Sequence, residues 1–186
     1  CDKKNKFLQN LNGKPTIIVN FLPGKSKINF TSGDCYQIGS SMGLMHYCSK
    51  DFELERDNSL SIKGWQTLIT SCNKTIPVSF LDKLQPNLME ELQNSFELFL
   101  EFWPYNLPKG FIHGDLFPDN VFFINDKITG VIDFYFSCTD ILSYDLAIAI
   151  NAWCFDKKHN FLEKNYQSLL SGYNSERKLS EDENFF

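Results

Sequence analysis

Asp115, Asn120 and Asp133 are the residues whose types and spacing best suit chemistry. The first two sit in the densest polar cluster of the chain, His113-Gly114-Asp115-Leu116-Phe117-Pro118-Asp119-Asn120, and the third follows a short apolar run that reads as a hairpin. A carboxylate in such a loop can accept or orient a hydroxyl proton. An amide oxygen and a second carboxylate can hold a hard cation such as Mg²⁺ against phosphate oxygens. Together these are the groups that phosphoryl transfer to an alcohol requires.

The elements around the cluster are those that would hold such a loop. Phe111-Ile112 leads in as a strand, Val121 to Ile124 leads out, Asn125-Asp126-Lys127 turns, and Gly130 to Ile132 returns. Upstream, Phe7 to Phe21 reads as two strands around Asn12-Gly13-Lys14-Pro15, because Asn-Gly favours positive φ and Thr16 to Val19 is β-branched. Leu22-Pro23-Gly24 breaks that run. Cys35, Ile38, Met42 and Met45 recur at helical spacing behind the capping residues Thr31, Ser32 and Asp34. A looser helix is expected around Trp65, Leu68, Ile69 and Cys72. A stronger one is expected at Leu88, Leu92, Phe96, Phe99 and Trp103, ended by Pro104. Ser143 is the expected cap of a helix burying Leu146, Ile150 and Trp153, and a further helix carries Tyr166, Leu169, Leu170 and Tyr173. Ser180 and Glu183 form a capping box that announces another helix, with Phe185 and Phe186 its first apolar residues. The fold class expected is α+β.

Composition limits the functional classes. Of 186 residues, 42% are hydrophobic and 15% aromatic, enough to build a core. The net charge of −5 and the lack of a Lys/Arg stripe argue against nucleic-acid partners. The most apolar stretch, Leu146 to Phe155, is far short of the ~20 residues of a membrane span. The start carries no apolar run that could serve as a signal peptide. The six cysteines lack C-x-x-C pairs, so buried free thiols in a reduced, cytoplasmic protein are expected.

The order His-x-Asp-x-x-x-x-Asn, hairpin, Asp-Phe resembles the catalytic and metal loops of protein kinases. On that likeness His113 matches the loop histidine, Asp115 the catalytic aspartate, and Asn120 and Asp133 the metal ligands. Gly114 stands where an arginine is usual and Tyr135 where a glycine is usual, which turns the resemblance toward small-molecule kinases. Within these, Gly-Phe-Ile-His-Gly-Asp-Leu-Phe-Pro-Asp-Asn-Val-Phe-Phe at Gly110 to Phe123 is very similar to bacterial homoserine kinases of the aminoglycoside-phosphotransferase-like type. The Asp-Phe-Tyr-Phe block from Asp133 and the Asn-Ala-Trp-Cys-Phe block ending at Phe155 resemble the same family. The likeness is good over Thr16 to Gly24 and Gly110 to Phe155, and loose from Ser49 to Pro108.

The resemblance implies a protein-kinase-like α+β fold, with residues 1–22 ending the ATP-binding lobe and hinge and residues 23–186 forming a helical catalytic lobe. It implies ATP and Mg²⁺ as cofactors and L-homoserine as acceptor, in threonine biosynthesis. The Asn20 carbonyl and Leu22 N–H would meet adenine, although an ordinary strand end is the equal alternative. His113 would hold the loop rather than act as base, and Asp145 would steady it. Asp140 reads equally as a structural residue or as a partner for the acceptor's amine, and Asp119 as a turn or cap residue. Trp153 and Trp103 are expected in the core, and His46 has no partner at metal-ligand spacing. No glycine-rich phosphate loop precedes Phe7, and Lys3, Lys4 and Lys6 lack the Val-Ala-x-Lys context of the strand lysine. A chain incomplete at both ends is therefore the expectation. The alternatives kept open are an aminoglycoside, choline or sugar acceptor, and a non-catalytic pseudokinase-like module.

Overall fold

The Asn12-Gly13 turn closes the first hairpin as its residue types dictate. In the structure, a computed structural model that describes residues 8–185, strands β1 (Leu8–Leu11) and β2 (Lys14–Ile17) pair antiparallel. Asn12 and Gly13 both take positive φ, 51° and 80°, which matches a two-residue turn to the twist of its strands. The second strand ends at Ile17, short of the expected Phe21, and Ile18, Val19 and Phe21 are exposed. Cys1, Lys3, Lys4, Lys6, Phe7 and Phe186 lie outside the described residues.

Helix α1 (Ser32–Cys48) is capped by Thr31, one of the three capping candidates, and the cap is a full capping box: the Thr31 side chain accepts from the Asp34 N–H, and the Asp34 carboxylate accepts from the Thr31 N–H. Cys35, Ile38 and Met42 are buried along one face. That face packs on α6 (Glu163–Glu176), and glycines allow a very close approach. A Cβ at Gly39 would stand 1.9 Å from the Leu169 carbonyl oxygen, and one at Gly172 2.0 Å from that of Tyr36. Leu169 and Tyr173 on α6 complete this core with Leu116, Val121 and Trp153.

Helices α2 (Ile62–Thr75), α3 (Val78–Leu84) and α4 (Leu88–Phe102) form a satellite layer. There Trp65 meets Phe99 and Trp103 at ring distances of 5.4 and 5.5 Å. Trp103 is only half-buried, unlike the fully enclosed Trp153. Helix α3 escapes the sequence pattern because it buries only Leu81 and lies between Pro77 and Pro86.

Six of the described strands form three two-stranded antiparallel sheets. Strand β3 (Lys109–Ile112) pairs with β6 (Cys138–Ile141), and β4 (Val121–Ile124) with β5 (Lys127–Val131) across Asn125-Asp126. The hairpin therefore folds between the two strands of the β3–β6 pair. Helix α5 (Leu142–Trp153) begins directly from β6, with Ile141 rather than Ser143 at the cap. No side-chain cap is needed where a strand runs straight into a helix: the Leu142 N–H donates to the Pro108 carbonyl at 2.9 Å. The capping box at Ser180 and Glu183 forms and opens α7 (Glu181–Phe185).

Of the five described cysteines, all free, Cys35, Cys138 and Cys154 are buried, whereas Cys48 is exposed and Cys72 partly so. The expectation of buried thiols thus holds for three. Among the described residues no helix is long and apolar enough to cross a membrane.

Candidate active site

Strand β3 delivers the chain into the polar loop at His113, and a 3₁₀ turn at Pro118–Asn120 delivers it out into β4. After the hairpin, a second 3₁₀ turn, Phe134–Phe136, carries it from Asp133 to β6. The pairing of Ile112 with Cys138 sets the two loops side by side. Backbone bonds complete the register: the Ile132 N–H donates to the Asn120 carbonyl at 2.9 Å.

Inside the loop, Asn120 Nδ2 donates to the Asp115 carbonyl at 2.8 Å and to its carboxylate Oδ2 at 3.0 Å. The amide's orientation is thereby set, and its oxygen is the atom left for another partner. Asn120 is buried and Asp115 half-buried, so the aspartate keeps one carboxylate oxygen for a group arriving from solvent.

His113 is fully enclosed, and both ring nitrogens are used. Nδ1 accepts the Asp115 N–H at 3.2 Å, and Nε2 donates to the Ile132 carbonyl at 3.0 Å. One imidazole thus spans the residue Asp115 and the residue before Asp133. Ring contact with Phe134 at 4.7 Å adds to this.

Asp145, in the first turn of α5 and 0% exposed, accepts the His113 N–H on Oδ2 and the Gly114 N–H on Oδ1, each at 2.9 Å. Trp153 Nε1 donates to the Leu116 carbonyl at 2.8 Å, so this core indole also ties the loop to α5. Gly114 takes φ +75°, and a Cβ there would meet the Phe136 carbonyl oxygen at 3.0 Å. Its backbone conformation and the close approach of the second loop both account for a glycine where protein kinases carry arginine.

Asp133 takes left-handed φ 62° and ψ 61° and is exposed. Asn12, Asn125 and Asp126 share this conformation in plain hairpin turns, so at Asp133 it serves to turn the chain and aim the carboxylate rather than to mark chemistry by itself. Among the described residues no three His, Cys, Asp or Glu side chains gather into a metal site. The hard oxygens of Asn120 and Asp133 fit Mg²⁺, which binds with few protein ligands and completes its shell with water and phosphate oxygens.

The remaining sequence candidates lie at the periphery. Asp140, on β6, is buried and accepts from Asn58 Nδ2 at 2.6 Å and from the Ile141 N–H at 2.8 Å. It lines a cleft of about 780 Å³ together with Asp57, Asn58, Lys63, Lys109 and Thr139. Leu22 lays its side chain over Gly130, and Thr129 Oγ1 donates to the Pro23 carbonyl at 2.6 Å. Lys25 exchanges backbone bonds with Phe123. The segment after β2 is thus seated on the β4–β5 hairpin, with Asn20 exposed. Neither Asn20 nor Leu22 shares a hydrogen bond with Asp115, Asn120 or Asp133. Asp119 lies in the 3₁₀ turn, exposed.

Sequence reasoning missed two residues that touch Asp145's network. His46 and Tyr173 are both fully enclosed, and His46 contacts Asp145 directly. A signal was available: His46 falls four residues after Met42, and Tyr173 four after Leu169, so each is a polar group on an apolar helical face.

Comparison with known proteins gives a consistent result. A sequence model described as "Phosphotransferase enzyme family" matches residues 6–179. A homoserine kinase of Sinorhizobium medicae is 40% identical over 178 residues, covering 96% of this chain and 53% of its own length. That of Granulibacter bethesdensis is 43% identical over 181 residues, covering 97% and 55%. The chain spans about half the length of the curated relatives it matches. Among solved structures, an amicoumacin kinase in complex with AMP-PNP, Ca²⁺ and Ami superposes with TM-score 0.67 at 15% identity, over 96% of this chain and 55% of that one. A spectinomycin phosphotransferase in complex with ADP and spectinomycin superposes with TM-score 0.64 at 19% identity, over 92% and 56%. The expected kinase-like α+β fold is the fold of these structures.

Proposed function

The chain belongs to the phosphotransferase enzyme family, and from that premise we propose that it carries the catalytic lobe of an ATP-dependent homoserine kinase. The observation that carries the proposal is the Asp115–Asn120 contact in a loop held by His113 and Asp145. The homoserine kinases of similar sequence support the choice of acceptor.

In this reading Asp115 accepts the proton of the homoserine hydroxyl with the carboxylate oxygen not engaged by Asn120. The hydroxyl oxygen forms a bond to the γ-phosphorus of ATP, the bond from that phosphorus to the bridging oxygen breaks, and ADP and O-phosphohomoserine leave. Asn120 and Asp133 would hold Mg²⁺, which would neutralise phosphate charge when bound. His113 and Asp145 keep the loop in place, and pre-set geometry of this kind is where such enzymes gain most of their rate.

The described residues up to Leu22 end the ATP-side lobe, with the Asn20 carbonyl and Leu22 N–H available to the adenine edge. Asp140, on the strand that follows the Asp133 turn, is the residue we assign to the acceptor's ammonium group. The reaction belongs to the cytoplasm, where ATP is available.

The test is a panel of alcohols, namely L-homoserine, choline, an aminoglycoside and a hexose, each offered with MgATP to the protein expressed from the full open reading frame. ADP release with homoserine alone is expected. Preference for another alcohol would move the protein to a different acceptor, and no turnover with any of them would favour a binding module.

A further inference from the structure

Asp145 is held from behind as well as from the loop side. His46 Nε2 donates at 3.0 Å to Oδ2, the oxygen that also accepts the His113 N–H. The other ring nitrogen of His46 meets the Tyr173 hydroxyl at 2.8 Å. That hydroxyl also receives Arg177 Nη1 at 3.0 Å, and Arg177 is clamped by both oxygens of Glu183 at 2.9 and 3.1 Å.

The directions of these bonds follow from the partners. Arginine can only donate, so the tyrosine oxygen accepts from it and sends its own proton to His46 Nδ1. Burial pushes the Tyr173 phenol up to about 12, so that proton stays on the oxygen at neutral pH. His46 is then the tautomer with its proton on Nε2, donating to Asp145. The row runs through α6, α1 and α5 and ends on the N–H groups of His113 and Gly114. His46, Asp145 and Tyr173 are all fully enclosed. A buried network with every member satisfied stiffens what it touches. The close glycine packing of α1 on α6 brings His46 and Tyr173 together across it.

We infer that His46, Tyr173 and Arg177 are positioning residues for phosphoryl transfer, acting through Asp145 to fix the loop that carries Asp115. The kinetic part of this inference rests on the proposed homoserine kinase reading; the structural part does not. With His46 absent, Asp145 keeps its bonds to the loop but loses the donor that fixes its own rotamer. The loop then samples positions in which Asp115 is misplaced.

The experiment uses the protein expressed from the full open reading frame and three variants, His46→Leu, His46→Gln and Tyr173→Phe. Two quantities are read: steady-state kinetics with MgATP and homoserine, and hydrogen exchange at the His113 and Gly114 amides. For His46→Leu and Tyr173→Phe, kcat is expected to fall about 10- to 100-fold, as misplaced catalytic groups do, with KM for both substrates nearly unchanged. Exchange at the two amides should rise about tenfold or more while the β4–β5 hairpin is unaffected. His46→Gln retains an N–H donor for Asp145 and should recover most of the loss. Should His46→Leu fail to fold, Tyr173→Phe decides, since it removes one oxygen. A folded variant with a lowered melting temperature but unchanged kcat and unchanged exchange would overturn the inference. If the unsubstituted protein proves inactive toward homoserine, the functional reading falls, and exchange alone judges the network: faster exchange upholds it and unchanged exchange rejects it.

Discussion

The imidazole of His113 accepts the backbone N–H of Asp115 at 3.2 Å, and its opposite nitrogen donates to the carbonyl of Ile132. With Nδ1 committed as acceptor and Nε2 as donor, the ring has no free lone pair to act as a base. It works as a spacer of fixed width between Asp115 and the segment that begins at Asp133. The two loops are separated in sequence by the β4–β5 hairpin, and this ring, with the Asn120 to Ile132 backbone bond, makes them one unit.

Asp133 should separate stability from binding. Its left-handed backbone suits glycine, so Asp133→Gly is expected to be more stable than Asp133→Ala by about 1 kcal/mol. Both should lose Mg²⁺-dependent nucleotide affinity, because the substituted side chain offers no oxygen to the cation. Thermal melts paired with MgATP titrations read the two effects. Unchanged Mg²⁺ dependence in either variant would remove Asp133 from the metal site.

Gly114→Ala should be costly for a change of one methyl group. A left-handed φ and a Cβ 3.0 Å from the Phe136 carbonyl oxygen act together, and about 1–3 kcal/mol of stability should be lost. The clash falls on the second loop, so turnover should drop too. Denaturant unfolding of the variant beside the parent measures the first, and equal midpoints would show that the loops yield easily.

Acid stability should depend on Asp34. Burial alone would lift its carboxyl, but the Lys27 ammonium at 2.6 Å and the Thr31 N–H and hydroxyl outweigh that and hold it below the ordinary 3.8. A carboxyl depressed in the folded state adds stability above its unfolded value, and that stability is lost as pH falls through the folded one. Asp34→Asn should therefore be less stable at pH 7, with the gap to the parent closing below about pH 4. Chemical denaturation at pH 7 and pH 3 reads this, and a gap of constant size would show that the Lys27 pair contributes nothing through charge.

The parts of this protein legible in the sequence are those set by neighbours along the chain. The Asn12-Gly13 turn and the Ser180–Glu183 box each involve residues no more than three apart and are in the structure where they were expected, and Thr31, a capping candidate, caps α1 over the same span. Asp115, Asn120 and Asp133 stood out because their loop is polar between apolar strands. The Ser143 cap failed because α5 takes its first acceptor from Pro108, which only the fold supplies. The His46–Tyr173 contact was illegible for the same reason, since 127 residues separate the two. Asp145 meets Gly114 across 31 residues, and its role toward the loop was reached through the family resemblance, not through spacing. A polar side chain on an apolar helical face signals burial but does not name its partner.

We propose that Asp115 acts on the acceptor hydroxyl and not on the nucleotide. The most direct test is a comparison of the protein from the full open reading frame with its Asp115→Asn variant, following O-phosphohomoserine by phosphorus NMR and MgATP affinity by calorimetry. We expect the parent to form O-phosphohomoserine. The variant should bind MgATP within a few-fold of the parent and turn over slower by about 10²-fold or more, the weight of a lost general base. An Asp115→Asn protein with near-normal turnover, or one whose loss lies wholly in MgATP affinity, would contradict the account.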